Sequence, residues 1–584
     1  TERQMEVRVT VRISGIAESL PPQTISLSPA ESKQIGWNLT APMGVDSLKY
    51  ELEASIGEGV GDRLSVVQKV VPAVPVRTFQ ATLTQLEGDF RMEVERPRDA
   101  LTGLGGIQVS FKPTLLDGLA GVAEYMKLYP YICLEQLVSK AIALRDTTLW
   151  SRTMSQLPSY LDGDGLAKYF PSMRWGSDIL TSYVVSIAQE AGWQIPAEAK
   201  GRMLEGLRGF VEGRVVRYSS LPTADLSIRK LSAVEALSRT GRIEPNLLSS
   251  ITIEPNLWPT SAVIDWLNIL RRVPNIRNRD DRIKEADQIL RSRLNFQGTT
   301  LGFSTERNDL LWWLMCSVDV NAVRLILSEM ESPAWREDMP RLVRGALGRQ
   351  YRGHWDTTIA NAWGILAMDK FSQTFEKTPV SGTTTATLAG RAQAVDWKSA
   401  PKGGTLSFGW PAQSSPLALH MDGSGKPWAT VQSLAAIPLK EPFSSGFKIK
   451  KTLRAVEQKE QGAWSKGDIV RVRLELESQA DMTWVVVSDP IPAGAAIFGT
   501  GLGRDSLLAA RGEKQEGWVW PAFEERSFEA FRTYYEYVPK GTWTIEYTMR
   551  LNSEGVMNMP PTRVEALYSP EMFGEIPNEP FRIK

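Results

Sequence analysis

The feature that most constrains this fold is a change of period. Before residue 115 and after residue 371, apolar residues recur at every second position; between them they recur at three- and four-residue spacing. Period two means strands with one buried face, and a period near 3.6 means helices. At the start, Val7, Val9, Val11 and Ile13 alternate with Arg8, Thr10 and Arg12, until Pro21-Pro22 ends the run. Leu48, Tyr50 and Leu52 repeat the alternation. Val70-Val71-Pro72-Ala73-Val74-Pro75-Val76 predicts an interdomain linker, and strands are predicted over 90–94 and 107–111.

From 115 to 371 the pattern is helical. Val263, Trp266, Leu267 and Leu270 share one helix face, as do Ile228, Leu231, Val234 and Leu237. Breakers at Pro171, Pro196, Pro222, Pro255, Pro259, Pro274 and Pro333 divide the stretch into about a dozen helices of ordinary length. Repeated antiparallel helix pairs of this kind predict an α/α toroid. Afterwards strands return. Residues 381–390 read as a polar connection or a β-edge, and 404–408 and 428–431 as strands. From Pro442 on, Val470, Val472, Leu474 and Leu476 alternate with Arg and Glu, and Trp543, Ile545, Tyr547 and Met549 with Thr and Glu. Asp489-Pro490 and Lys540-Gly541 read as turns, and the whole as a β-sandwich. The fold class is multidomain α and β, with the helical domain (116–375) inserted between two parts of a β domain (73–115 and 376–438). Sandwiches at 1–72 and 439–584 flank it. A chain of 584 residues exceeds one core, so about three to five domains are expected.

Composition excludes several classes. Lys plus Arg and Asp plus Glu are 67 each, so no basic excess points to nucleic acid. No apolar run reaches the roughly eighteen residues of a membrane helix. The chain opens Thr1-Glu2-Arg3-Gln4-Met5-Glu6, inside a strand pattern, which reads as a cut through a longer protein whose address signals lie elsewhere. The two cysteines, Cys133 and Cys316, make no disulfide framework. Cys316, in Leu311-Trp312-Trp313-Leu314-Met315-Cys316, reads as a buried, inert thiol. With two histidines and no Cys-x-x-Cys, neither a zinc site nor another cofactor is expected.

The chemistry concentrates in Tyr131-Ile132-Cys133-Leu134-Glu135-Gln136, at the start of a helical run after Pro130. It holds a thiol and a primary amide three residues apart, on one face of a helical turn. If the thiolate displaces ammonia from the Gln136 side chain, an internal thioester forms, a stored acylating agent. A helix N-terminus would favour the thiolate. Tyr125, Tyr129 and Tyr131, with Leu134 and Leu137, could exclude water. The same residues also suit an ordinary solvated turn beside a core stripe.

Tyr129-Pro130-Tyr131-Ile132-Cys133-Leu134-Glu135-Gln136 resembles the thioester signature of the bacterial α2-macroglobulins, relatives of the thioester-containing complement proteins. Gly353-His354-Trp355-Asp356-Thr357-Thr358-Ile359-Ala360-Asn361-Ala362-Trp363 resembles that family's Gly-x-Trp-x-x-Thr-x-x-Thr-Ala pattern, departing at Asn361 where Thr is usual. Pro561-Thr562-Arg563-Val564-Glu565-Ala566-Leu567-Tyr568-Ser569-Pro570 resembles the closing motif of the last macroglobulin domain. The resemblance implies that 1–72 and 439–584 are macroglobulin-type sandwiches, the last receptor-binding-like. It implies that 73–115 and 376–438 form a CUB-like domain and that 116–375 is the thioester toroid. The family's bait region and earlier macroglobulin domains are absent, as in a C-terminal fragment.

The resemblance further implies a protease inhibitor rather than an enzyme. A protease cleaves the bait region, the molecule changes shape, and a protease lysine attacks the exposed thioester. Cys133 would be the thiol leaving group and Gln136 the acyl donor, with Leu134 and Glu135 in the ring. Tyr129, Tyr131, Leu567 and Tyr568 would shield the bond. Implied partners are target proteases and other periplasmic or inner-membrane proteins, in a periplasmic setting. Some thioester proteins pass the acyl group through a histidine. Here His354 lies in the closing segment of the helical region and reads as structural, so direct reaction with amines is expected. His420 is the other histidine.

Two rivals stand beside this. Toroids also host cyclases and glycosidases, but Asp280-Asp281 reads as a solvated face and Asp162 and Asp164, spaced by glycines, as a turn. The other rival is a scaffold of an envelope assembly in which the thioester motif is unused.

Overall fold

The computed structural model describes residues 4–16, 19–57, 59–241, 243–304, 311–499, 513 and 516–584. Contacts divide the chain into two units, residues 1–75 with 558–560, and 76–557 with 561–584.

The first unit holds strands β1 (Met5–Ser14), β2 (Gln23–Leu27), β3 (Ser47–Ile56) and β4 (Gly59–Lys69), in an antiparallel sheet ordered β2-β1-β3-β4. The alternation sets its register: Val9 faces Ala54 and Val11 faces Leu52, and Val7, Val9, Val11 and Leu48 are buried.

The second unit begins with β5 (Arg77–Gln85), β6 (Asp89–Val94) and β7 (Gly106–Lys112). Eleven α-helices follow among the described residues: α1 (Ala120–Leu128), α2 (Leu134–Leu144), α3 (Thr147–Tyr160), α4 (Asp178–Ala191), α5 (Ala197–Val211), α6 (Leu226–Ser238), α7 (Thr260–Arg272), α8 (Arg279–Ser292), α9 (Val318–Glu329), α10 (Met339–Gly348) and α11 (Thr358–Phe375). Helices pack in a closed succession, α2 on α4, α4 on α6, α6 on α7, α7 on α9 and α9 on α11, and α11 returns to α2. That explains why α7 is buried on nearly every face from Thr260 to Leu270. The helical stretch is interrupted by a hairpin, β8 (Leu294–Gln297) and β9 (Thr300–Phe303), where only helices were expected. Its physical cause is Gly298, at φ +60° in the two-residue turn.

Beyond the helices come β10 (Ser381–Leu388), β11 (Arg391–Asp396), β12 (Gly404–Phe408), β13 (Ser415–Ser424) and β14 (Trp428–Ala435). They interleave with the strands before the helices, in sheets ordered β11-β10-β13-β6 and β12-β7-β14-β5. Val109, Phe111, Ala386, Leu417, Leu419 and Val431 fill the core of this pair. The 381–390 segment is therefore neither a connection nor an edge. β10 pairs on both sides, and Thr384, Ala386 and Leu388 point into the core.

The last part contains β15 (Phe443–Ser445), β16 (Phe447–Glu457), β17 (Ile469–Ser478), β18 (Met482–Pro490), β19 (Ala495–Ile497), β20 (Pro521–Arg526), β21 (Ala530–Val538), β22 (Gly541–Leu551), β23 (Gly555–Met557), β24 (Thr562–Ala566), β25 (Ser569–Ile576) and β26 (Phe581–Ile583). Two sheets, β15-β25-β24-β18-β21-β20 and β16-β17-β22-β19, bury Val470, Val472, Leu474, Leu476, Ile545 and Tyr547. Lys540 precedes β22 as expected, but Asp489-Pro490 is no turn. Both residues belong to β18, and Asp489 is fully buried, accepting from Tyr547 Oη (2.7 Å) and Thr562 Oγ1 (2.5 Å) and pairing with Lys451 (2.7 Å).

Candidate functional site

Helix α2 begins at Leu134 because Cys133 caps it. Cys133 is extended (φ −66°, ψ 165°), its sulfur accepts from the Gln136 backbone N–H, and Gln136 Oε1 accepts from the Cys133 N–H at 3.0 Å. This is a capping box with a thiol in place of the usual hydroxyl. Leu134, Val138, Ala141 and Ile142 bury the helix. Arg145 (φ 54°) closes it in the left-handed conformation, and Asp146, bonded to Leu149 N at 2.9 Å, starts α3. Pro130 lies in the extended link between α1 and α2.

The turn is dry. Cys133, Leu134 and Glu135 are 0% exposed and Gln136 is 1% exposed. The Gln136 amide oxygen accepts from Cys133 N, while the amide nitrogen Nε2 is buried with no hydrogen-bond partner. Such a group costs free energy to hold there, on the order of 1–3 kcal/mol. The thiol and this orphaned amide therefore sit on one turn, sealed from water.

Glu135 is a buried carboxyl held by hydroxyls. Oε1 accepts from Ser139 Oγ (2.6 Å) and Thr358 Oγ1 (2.8 Å), and Oε2 accepts from Tyr568 Oη at 3.1 Å. Ser139 Oγ also meets Tyr183 Oη at 2.6 Å. Burial raises the Glu135 pKa, and the three hydroxyls only partly counter it. The Cys133 thiol follows the same physics. Burial, and then the Glu135 carboxyl, pushes it well above the usual thiol range, against backbone N–H groups of Gln136 and Glu135 that lower it. The thiolate expected from a helix N-terminus is thus overridden by desolvation.

Tyr131 is buried and donates to Glu565. Burial would raise Glu565, but Arg563, 2.6 Å away, overrides it and holds the carboxyl low. Tyr129 is half-buried, edge-on to Tyr131 (centroids 5.4 Å, 89°) and 5.4 Å from Tyr125. Leu137 is half-buried on α2. Leu567 and Tyr568 are both buried, and Leu567 N donates to Trp484 O at 2.9 Å.

Several residues here were not anticipated. Trp484, inside β18, has φ +52°, a left-handed backbone that costs a bulky residue energy. Its ring lies on Tyr169, centroids 3.8 Å apart. Tyr169 O accepts from Leu134 N (2.9 Å), and its hydroxyl donates to Met315 Sδ (2.9 Å). Phe170 stacks on Phe523 (4.5 Å), and Tyr131 meets Tyr534 edge-on (6.1 Å). Ser139 and Thr358 carried a signal, one four residues along the helix from Glu135 and the other inside the 353–363 motif. Tyr169 and Trp484 carried none.

The other candidates fall elsewhere. His354 stacks on Tyr125 (3.8 Å, 12°), its Nδ1 lies 2.8 Å from Trp355 O, and burial lowers its pKa. His420, on the exposed face of β13, pairs with Asp89 (2.6 Å). Asn361 ties the start of α11, accepting from Trp355 N (3.1 Å) and donating to Trp355 O (2.9 Å) and Thr357 O (2.8 Å). Asp280 and Asp281 are exposed on α8. Asp162 does sit at a turn, but it is buried and paired with Arg217 (2.6 Å), which also holds Asp164. Cys316 is half-buried rather than buried, its sulfur 3.4 Å from Leu314 O. Among the described residues no helix is long and apolar enough to cross a membrane.

Residues 446–571 match the sequence model of the bacterial alpha-2-macroglobulin MG10 domain. The chain is 23% identical over 533 residues to the alpha-2-macroglobulin homolog of Yersinia pestis, covering 84% of this chain and 25% of that protein. It therefore spans a quarter of that relative's length. Native Escherichia coli alpha-2-macroglobulin, from domain MG7 to the C-terminus, matches with a TM-score of 0.74 at 17% identity, over 100% of this chain and 95% of that one. Salmonella alpha-2-macroglobulin reacted with methylamine matches with a TM-score of 0.72 at 17% identity, over 100% of this chain and 39% of that one. At these identities the structural likeness is one of fold.

Proposed function

We propose, from the premise that this chain belongs with the bacterial α2-macroglobulins as a counterpart of their C-terminal part, that it traps proteases through an internal thioester between Cys133 and Gln136. The observation that carries the reading is the buried, unpartnered Gln136 Nε2 beside the Cys133 thiol on one capped turn. In the forming step Sγ bonds to Gln136 Cδ, the C–N bond breaks, and ammonia leaves with the thiol proton. In the trapping step a lysine amine bonds to Cδ, and Sγ leaves and takes up a proton. Leu134 and Glu135 close the ring, and Tyr129, Tyr131, Leu567 and Tyr568 keep water out.

What supports the remaining parts is more general. The closed succession from α2 through α11 back to α2 favours the α/α toroid, and the sheets sharing strands from before and after it favour insertion in a CUB-like domain. Proteases are the proposed partners and the periplasm the proposed setting. Neither histidine is bonded to the turn: His354 stacks on Tyr125 and His420 pairs with Asp89. Amines are therefore the proposed nucleophiles. The raised Cys133 pKa is the one observation favouring the scaffold reading, because a protonated buried thiol attacks slowly. Thiol titration of the native protein tests the choice. A thiol at Cys133 that appears only after methylamine supports the trap; one already free beforehand, in full-length protein, supports the scaffold.

A further inference from the structure

A cavity of about 60 Å³ with a mixed polar and apolar lining opens among α4, α6, α7, α9 and α11. At about 10–15 Å³ for each water it has room for about four to six waters. Its polar wall is formed by Ser186, Ser232, Glu235, Ser261, Asp265 and Arg324, and Cys316 also lines it.

The charges on this wall are already matched. Glu235 Oε1 accepts from Arg239 Nε and Arg272 Nη1, both at 2.8 Å, and Oε2 accepts from Ser186 Oγ at 3.0 Å. Asp265 Oδ1 accepts from Arg324 Nη2 at 2.5 Å. No unpaired charge on the wall is left to hold an ion. Ser261 is different. It is 2% exposed, lines the cavity, and its hydroxyl has no hydrogen-bond partner. A buried hydroxyl in that state is stabilised by any occupant that donates or accepts a hydrogen bond there. Ile179, Ile228 and Ile359 supply apolar surface for carbon-bound hydrogens.

We propose that this cavity binds a small neutral polyol of glycerol or erythritol size, with Ser261 and Ser232 bonding its hydroxyls. An occupant with several hydroxyls and no charge satisfies the serines without disturbing the ion pairs. Tyr183 and Met315, which line this cavity, also touch the network around the Cys133–Gln136 turn, but none of the turn's own four residues lines it, and the proposal stands whether or not that turn closes a thioester.

Saturation-transfer NMR on the full chain, with glycerol and erythritol as probes, tests it. The expected result is saturation transfer to at least one polyol, lost in Ser261→Leu and in Ser232→Leu, whose side chains fill the cavity. Ser232 is only half-buried, so Ser232→Leu carries the test if Ser261→Leu does not fold. No transfer to either polyol, or transfer that persists unchanged in the folded variants, overturns the proposal and leaves a cavity that holds water alone.

Discussion

Tyr568, in the turn between β24 and β25, donates its hydroxyl to Oε2 of Glu135, on the first turn of α2, at 3.1 Å across 433 residues of chain. One buried hydrogen bond thus joins the last β-sheets to the middle of the Cys133–Gln136 turn. Removing it has two separable effects. Tyr568→Phe leaves Oε2 one donor short and lowers unfolding free energy by about 1–3 kcal/mol, measured by denaturant unfolding. Tyr568→Ala also opens a path to the turn, so methylamine should release the Cys133 thiol faster in full-length protein. Unchanged decay would count against Tyr568 as a shield.

Cys133 has two roles that one substitution separates. Serine is a strong N-cap and keeps the bond from Gln136 N–H. Cys133→Ser should hold thermal stability within about 1 kcal/mol of the parent while abolishing covalent methylamine uptake. A large loss of stability would mean that the sulfur is needed for packing as well as chemistry.

Trp484 is held in a strained backbone so that its ring reaches Tyr169. Trp484→Ala deletes that contact and costs about 3–5 kcal/mol, by the usual range for a buried aromatic. The same variant should raise the rate at which alkylating reagents reach the turn, read by peptide mapping. Stability lost without faster labelling would restrict Trp484 to a packing role.

Much of this architecture was legible because it is written in local periodicity. Val470 to Leu476 could only be a strand with one buried face, and Val263 to Leu270 only a buried helix. The turn at Cys133 was legible because its partner is three residues away. The hairpin at 294–303 was missed: Leu294 and Phe296 pair with Phe303 and Leu301 across Gly298, and so short a strand pair is absorbed into the surrounding helical period. Asp489-Pro490 misled because a buried aspartate with long-range partners has the same local spelling as a turn. Trp484 on Tyr169 and Tyr568 on Glu135 depend on residues hundreds of positions apart, which no local pattern encodes.

Asp356 gives a pH dependence. Burial, and then the neighbouring Asp319 carboxylate, pushes Asp356 up to about 7, while in the unfolded chain it titrates near about 4. Between these values the folded state binds the extra proton, so stability falls as pH rises from about 4 to about 7. Asp356→Asn removes this contribution. Thermal unfolding across that range should show a shallower decline in the variant than in the parent. Equal slopes would show that Asp356 does not titrate in this window.

The most direct measurement is the intact mass of freshly purified native protein, before and after methylamine. The proposed mechanism predicts an untreated mass short by one ammonia, and uptake of one methylamine with release of the Cys133 thiol. An untreated full-length protein at its plain sequence mass, with Cys133 already free, would contradict the thioester and leave a binding scaffold.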